Sequence, residues 1–398
     1  MSDLSLRIRG LAESATIAMA QKAREFKARG IDLISLSLGE PDFKTPDYIR
    51  EAAIDAINDG SYFSYPPVPG YQDLREAIAE KLKRDNGIET TAANIVVSTG
   101  AKQSIANVML CLLDPGDEVV VFSPYWVSYA EIIKVAEGTP VFVHGGIEND
   151  FKVTPGQLEE AITPKTKAII YSSPCNPTGT VFTQSELEAF AEVVKRHEGV
   201  YVIADEIYEL INFSGGHASM AAIPGMGDRT ITVNGFSKGY AMTGWRVGYI
   251  SAPLEIAKAC NKMQGQFTSA TNGIAQRAAL AALRGDQEPT KKMAEAYLER
   301  RDMVLKLLAD IPGIQANTPQ GAFYVFPNVS SYFGKSYEGR KIDNATDLCM
   351  YLLEEAHVSL VTGEAFGAPD CLRISYAASV EELKEAFRRI AEALGKLN

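Results

Sequence analysis

The sequence predicts an α/β protein: a large domain with a mainly parallel seven-stranded sheet sandwiched by helices, plus a smaller discontinuous α+β domain. Three observations predict it. Short β-rich runs alternate with helical patterns through most of the chain. Most of these runs are continuously apolar rather than alternating, as in strands covered on both faces. Towards the C-terminus the alternation gives way to a long charged helix and a few short strand-like runs.

Taken in order, the strands fall at 95–98, 118–122, 139–144, 167–172, 200–204, 230–233 and 247–251. Helical patterns occupy 47–59, 70–85, 102–113, 126–136 and 183–197, then 254–264 and 271–283. Such alternation builds layered domains with short right-handed crossovers. The long charged helix spans 289–311. Strand-like runs follow at 322–326, 358–360 and 371–376, with helices at 344–356 and 380–397. The early segment 14–38, a helix and the short strand 33–37, has no evident partner among the seven strands and is placed with the C-terminal elements. The expected division is an N-terminal arm at 1–13, a small domain at 14–45 and 289–398, and a large domain at 46–288.

Composition narrows the class. The 398 residues carry 39 Lys and Arg against 50 Asp and Glu, a formal net charge of −11. At roughly 150 residues per domain, that length suggests two or three domains, with a core large enough to need no disulfide or metal staple. The acidic balance argues against a nucleic-acid binder, which carries a basic stripe. Cys111, Cys175, Cys260, Cys349 and Cys371 are scattered, with no CxxC pair, so neither a disulfide scaffold nor a zinc site is expected. His144, His197, His217 and His357 show no metal spacing and read as structural. The N-terminus lacks the apolar core of a signal peptide. No apolar run approaches the ~20 residues of a membrane span. A cytoplasmic location, with no membrane partner, is expected.

Ligands of open α/β sheets sit beyond the carboxyl ends of the strands. Four of those ends are chemically distinctive. Asp205 follows the strand 200–204, and Lys238 follows 230–233. Asn176 follows 167–172, and Gly100, Ala101 and Lys102 follow 95–98 and open a helix. A carboxylate, an amine, an amide and a helix N-terminus are thus offered at one end of the sheet, and the backbone at a helix start suits phosphate. Pyridoxal 5′-phosphate needs this set: a lysine for the Schiff base, a carboxylate against the pyridine nitrogen, a phosphate cradle and a donor to the phenolate oxygen.

The stretch 235–248 (GFSKGYAMTGWRVG) resembles the pyridoxal-phosphate attachment signature of class I aminotransferases. Further motifs of that family stand in order: 39–43 (GEPDF), 65–67 (YPP), 123–126 (SPYW), 176–179 (NPTG), 205–208 (DEIY), 321–324 (GAFY) and 372–375 (LRIS). The resemblance covers nearly the whole chain and is greatest to bacterial aspartate aminotransferases, which implies their pyridoxal-phosphate fold type I. It implies that Lys238 forms the Schiff base and shuttles the proton, and that Asp205 pairs with the pyridine nitrogen. Tyr208 and Asn176 would donate to the phenolate oxygen, and Tyr208 shares a face with Asp205 if the turn is helical. Gly100, Ala101, Lys102, Ser237 and Arg246 would hold the phosphate, and Trp126 would stack on the ring.

On the substrate side, the resemblance implies that Arg373 grips the α-carboxylate bidentately, with the Gly39 backbone adding a donor. Closure of the small domain would bring Arg373 in and exclude water. Lys102, with Ser14 and Thr16, would meet a distal carboxylate, since the stretch 266–270 has no arginine to do so. Tyr65 resembles a residue that reaches the neighbouring subunit's cofactor, which implies a homodimer with shared active sites. The expected reaction moves the amino group of L-aspartate to 2-oxoglutarate. Transamination of prephenate, aromatic amino acids or alanine would use the same cofactor residues. So would β-elimination or decarboxylation. An aminotransferase-like transcription regulator is disfavoured, because the pattern begins by about Ser14 and the balance is acidic.

Overall fold

The computed structural model describes residues 4–398, so the first three residues of the expected arm lie outside it. The rest of the arm holds a short helix, α1 (Leu6–Arg9). It is tied down by an Arg7–Glu137 ion pair of 3.0 Å and by the Ala12 amide, which donates to Glu131 at 2.9 Å. Helix α2 (Ala15–Ala28) leads to strand β1 (Ile34–Ser35). There follow α3 (Asp47–Asp59), α4 (Gln72–Asn86), β2 (Ile95–Ser98), α5 (Ala101–Leu112), β3 (Glu118–Ser123), α6 (Ser128–Val135) and β4 (Thr139–His144). Next come α7 (Pro155–Ala161), β5 (Thr166–Ser172), α8 (Gln184–Lys195), β6 (Tyr201–Asp205), β7 (Thr230–Gly235), β8 (Gly248–Ser251), α9 (Leu254–Phe267) and α10 (Gly273–Arg284). The C-terminal part comprises α11 (Glu288–Ala309), β9 (Tyr324–Val325), β10 (Ser336–Tyr337), β11 (Arg340–Lys341), α12 (Ala345–Glu355), β12 (Val358–Ser359), β13 (Val361–Thr362), β14 (Leu372–Ser375) and α13 (Val380–Leu394).

Strands β2 to β8 form one seven-stranded sheet in the order β2-β8-β7-β6-β5-β3-β4. Only β8 is antiparallel, to both of its neighbours. The apolar runs are continuous because both faces are covered. Val119, Val121, Ile170 and Ile203 share one cluster with residues of α5, α6 and α9. The alternate residues Val120, Ile169 and Val202 pack on the opposite face with Leu187, Phe190 and Val194 of α8. Each such fully buried side chain contributes about 1.5–3 kcal/mol relative to exposure. Edge strand β4 departs from the pattern: of its six residues only Val143 is buried, and it carries Pro140, which an edge tolerates. Helix α8 starts at a reciprocal capping box between Thr183 and Glu186, and α13 at one between Ser379 and Glu382.

Strand β1 pairs in parallel with β12, with Ile34 opposite Val358, so the early segment does join the C-terminal elements. The expected run 358–360 covers only β12, which turns to β1; beyond Leu360 a further strand that the run did not include, β13, enters an antiparallel sheet of order β13-β14-β9. A large cluster beneath α11, α12 and α13 holds these small sheets. Two helices were not expected from the sequence, α1 and α7. Each is under two turns or so, and α7 buries only Leu158, too little for a periodic signal. All five cysteines are free thiols. Among the described residues, no helix is long and apolar enough to cross a membrane.

Candidate active site

The carboxyl ends of β5, β6 and β7 and the first turn of α5 face β14 and the segment after β1 across a cavity of about 520 Å³. It is lined from the sheet side by Ala101, Lys102, Trp126, Asn176, Asp205, Tyr208, Ser237, Lys238 and Arg246. Ser14, Thr16, Gly39 and Arg373 line it from the other side. Gly100 stands beside it as the N-cap of α5. Tyr65 is the exception: it does not line the cavity and is 93% exposed.

Asp205 ends β6 rather than following it, and it is buried. Burial raises its carboxyl to about 6, against the hydrogen bonds that favour its charged form. Those come from the Tyr129 hydroxyl at 2.6 Å and the Ile207 amide at 3.3 Å. Lys238 lies in the irregular stretch after β7 and donates to the Gly39 carbonyl. Burial brings its amine down to about 8, with Glu40 opposing and Arg373 and Arg246 adding to the effect. Tyr208 shares a 2.7 Å hydrogen bond between hydroxyls with Tyr324. Burial first, and Tyr324 second, raises its phenol well above the ordinary value, so it stays a donor. The turn that carries Tyr208 is not helical, although 205 and 208 do face the same cavity.

Three cations converge here from distant segments. Arg246 has φ 55°, and its guanidinium donates to the Thr243 carbonyl at 2.9 Å. A Cβ at Gly100, whose φ is 84°, would run into that guanidinium, so only glycine fits the turn. The amides of Ala101 and Lys102, in the first turn of α5, have no intrahelical acceptor. The Lys102 ammonium lies 5.0 Å from the Trp126 ring centroid. Burial, then Arg246, lowers its proton affinity. Arg373 is almost fully buried in β14, donating to Asn176 Oδ1 at 3.0 Å and to the Ser37 carbonyl at 2.6 Å. Its Cζ lies 4.6 Å from the Tyr324 ring centroid, and its Nε has no hydrogen-bond partner among the described residues.

Some contributors were missed in the sequence. Tyr129 grips Asp205, and its place three residues after Trp126 in the expected helix 126–136 was the available signal. Tyr324 stood inside a quoted motif without a role, yet it meets both Tyr208 and Arg373. Gly39 was expected to contribute through its amide, whereas here its carbonyl accepts from Lys238. His217, read as merely structural, lies 3.0 Å from Glu206, the residue after Asp205.

A sheet covered by helices on both faces, with a half-buried lysine and a buried aspartate in one cavity at its strand ends, is the arrangement of an aminotransferase site. A family model for aminotransferase class I and II matches residues 31–390, and the chain belongs to that family. Within it the likeness is to aspartate aminotransferases. The chain is 45% identical over 390 residues to the aspartate aminotransferase of Geobacillus stearothermophilus, covering 97% of this chain and 98% of that one. It is 47% identical over 396 residues to a Petunia hybrida protein named as a bifunctional aspartate and glutamate/aspartate-prephenate aminotransferase, covering 98% of this chain and 82% of that one. The solved aspartate aminotransferase of Rhizobium meliloti superposes with a TM-score of 0.96 at 41% identity, each chain covered completely. That of Thermus thermophilus, solved with maleate, gives 0.93 at 41% identity, covering 99% of this chain and 100% of that one.

Proposed function

We propose that the chain is a pyridoxal-phosphate-dependent aspartate aminotransferase that works as a cytoplasmic homodimer. It would convert L-aspartate and 2-oxoglutarate to oxaloacetate and L-glutamate. The observation that carries this reading is a half-buried amine and a buried carboxylate in one cavity with Lys102, Arg246 and Arg373.

The residues fit the cofactor. The turn at Gly100 is stripped to backbone beside Arg246, where a side chain would fill the cradle. The Ala101 and Lys102 amides, Ser237 and Arg246 would hold the phosphate. Asp205 would hold the ring nitrogen, and Tyr208 and Asn176 the phenolate oxygen. Trp126 would cover the ring. When bound, the cofactor supplies an electron sink that stabilises negative charge at the substrate α-carbon and carries the amino group. Asp205 keeps a positive charge at its oxygens favourable, and Tyr129 orients it. Lys238, with its amine near 8, is deprotonated readily enough to take the proton from the substrate α-carbon.

Arg373, with Gly39, would bind the α-carboxylate, and Lys102, Ser14 and Thr16 the distal one. A small unit of 14–45 and 289–398 would close on 46–288 to complete the site. The maleate with which the Thermus thermophilus enzyme was solved, itself a dicarboxylate, supports that preference. Prephenate as a further oxo-acid partner is supported by the Petunia relative's name. The free cysteines support a reducing compartment.

The test is kcat/KM over a panel of amino acids and oxo acids, with cofactor absorbance followed in parallel. Lys102→Met should lower kcat/KM for aspartate by about tenfold or more and leave alanine within about threefold, the loss of one charged hydrogen bond. Equal losses for both would remove the distal-carboxylate role. No cofactor absorbance in the wild type, or full activity in Lys238→Ala, would remove the whole reading.

A further inference from the structure

The turn that carries Asp205 and Tyr208 presents these two and Ile207 to the cavity, and two side chains to the opposite side. Glu206 and Glu209, spaced three apart like the first pair, enter a buried cluster behind the sheet end. Glu206 Oε2 accepts from Ser219 Oγ at 2.7 Å and from Asn86 Nδ2 at 3.3 Å, and lies 3.0 Å from His217 Nε2. Glu209 pairs with Lys81 and accepts from Asn86 Nδ2 at 2.7 Å. Lys81 also donates to Asn86 Oδ1 at 2.7 Å. The side chains of Lys81, Glu206, Glu209 and His217 are 4%, 1%, 7% and 8% exposed, so the charges are effectively out of water.

With His217 protonated, two carboxylates face two cations and the group is neutral. Glu206, Glu209 and His217 bring ligand atoms within 4.8 Å of one another. A divalent ion is not needed, because the Lys81 ammonium already sits on Glu209. The neighbouring titratable groups are Tyr171 and Asp205 near Glu206, and Tyr240 and Tyr249 near Glu209.

Backbone bonds tie the turn at both ends, the Ser173 amide donating to the Asp205 carbonyl at 3.1 Å and the Ile211 amide to the Tyr208 carbonyl at 2.8 Å. The Glu206 amide donates to the Val233 carbonyl at 2.9 Å, and the Glu209 amide closes back on Glu206 at 2.9 Å. The Ile207 amide is committed to the Asp205 side chain. The quartet adds ties to α4, through Lys81 and Asn86, and to the 217–219 segment.

We propose that Lys81, Glu206, Glu209 and His217 form a self-neutralised anchor that positions Asp205 and Tyr208 against the cofactor ring from behind. They are positioning residues that touch neither cofactor nor substrate. The inference rests on the cofactor site proposed above. Removing one member strands its partner's charge in a dry site, whereas removing two opposite members together does not. Coupling is therefore the signature to seek.

The experiment titrates pyridoxal 5′-phosphate into the cofactor-stripped full chain. It compares wild type, Glu206→Gln, His217→Gln and the double variant, reading the Kd, the pH midpoint of the bound cofactor's visible band, and Tm. Each single variant should weaken binding by about tenfold or more and shift the midpoint, while the double variant returns to within about threefold of wild type. Single variants that lower Tm but leave Kd and midpoint unchanged would make the quartet a fold element only and overturn the inference. So would additive losses in the double variant. Should the single variants not fold, Ser219→Ala removes the 2.7 Å bond to Glu206 and the 3.1 Å bond that Ser219 Oγ accepts from Asn86 Nδ2, and should weaken binding by about threefold; unchanged binding there overturns the inference. A wild type that takes up no cofactor overturns the functional reading, and this inference with it.

Discussion

Asp205 and Lys238 are displaced in opposite directions by one cause. Burial disfavours charge, so the acid is raised to about 6 and the amine lowered to about 8. For Lys238 the folded value lies below the unfolded 10.5, so its favourable contribution is complete above 10.5 and lost as pH falls through 8. Near pH 7 the charged amine therefore costs stability in the cofactor-free protein. Lys238→Met should stabilise that form at pH 7 by about 1–2 kcal/mol, discounted because the residue keeps some exposure to the cavity. The gain should fade between pH 8 and 10.5 in denaturant melts of the two proteins; a gain that does not change with pH would point to packing instead. Tyr129→Phe removes the 2.6 Å bond that helps keep Asp205 ionised, so the carboxyl should rise further and cofactor affinity fall about tenfold. Equal affinity would show that Tyr129 only packs. Asp205, Lys238 and Asn176 were legible because chemistry at the strand ends is a local pattern. The Tyr208–Tyr324 and Lys81–Glu209 contacts were not, since their partners stand 116 and 128 residues apart.

Elements were legible in proportion to what they bury. Strands β3, β5 and β6 carry continuous apolar stretches because helices cover both faces, and these runs stand out in the sequence. The division of 358–362 between two sheets was not legible, because pairing depends on partners at 34 and 372 that no local pattern names. Helix α2 is an intermediate case. Of its fourteen residues only Ala20 and Ala23 are buried, and Ala23 belongs to a small satellite cluster with Leu33 and Leu353. An element held so lightly opens at low free energy. Ser14 is its N-cap and Thr16 lies in its first turn, so a ligand that engages them should change its exchange behaviour. Adding maleate to the cofactor-loaded protein should slow hydrogen exchange of α2 amides by about tenfold, with β5 to β7 unchanged. No protection in α2 would separate Ser14 and Thr16 from the distal carboxylate.

At the scale of the molecule, a net charge of −11 coexists with a cationic cavity because Lys102, Arg246 and Arg373 come together from three distant segments. Bulk charge describes solubility, and local charge describes recognition. The surface carries a second contrast. Phe63, Tyr65 and Phe267 are 68%, 93% and 65% exposed. They belong to neighbouring segments, since the Gln264 amide of α9 donates to the Val68 carbonyl at 2.7 Å. Thr268, just after α9, accepts from Gln103 in the first turn of α5 at 2.7 Å. An apolar patch thus borders the end of the cavity where the phosphate would sit. Such a patch on a folded chain marks a contact surface, and a twofold partner seated there would bring its own Tyr65 to this cavity. The proposed shared site makes a sharp prediction. Lys238→Ala should be inactive, and Tyr65→Ala should lose about tenfold in cofactor affinity and activity at limiting cofactor. Unfolded together in equal amounts and refolded, the two variants should form half mixed dimers. Each mixed dimer has one cavity with both native residues and one with neither. Activity at limiting cofactor should then reach about a quarter of wild type, above the average of the two parents. A mixture that only matches that average would place Tyr65 within its own subunit's surface and dissolve the shared site.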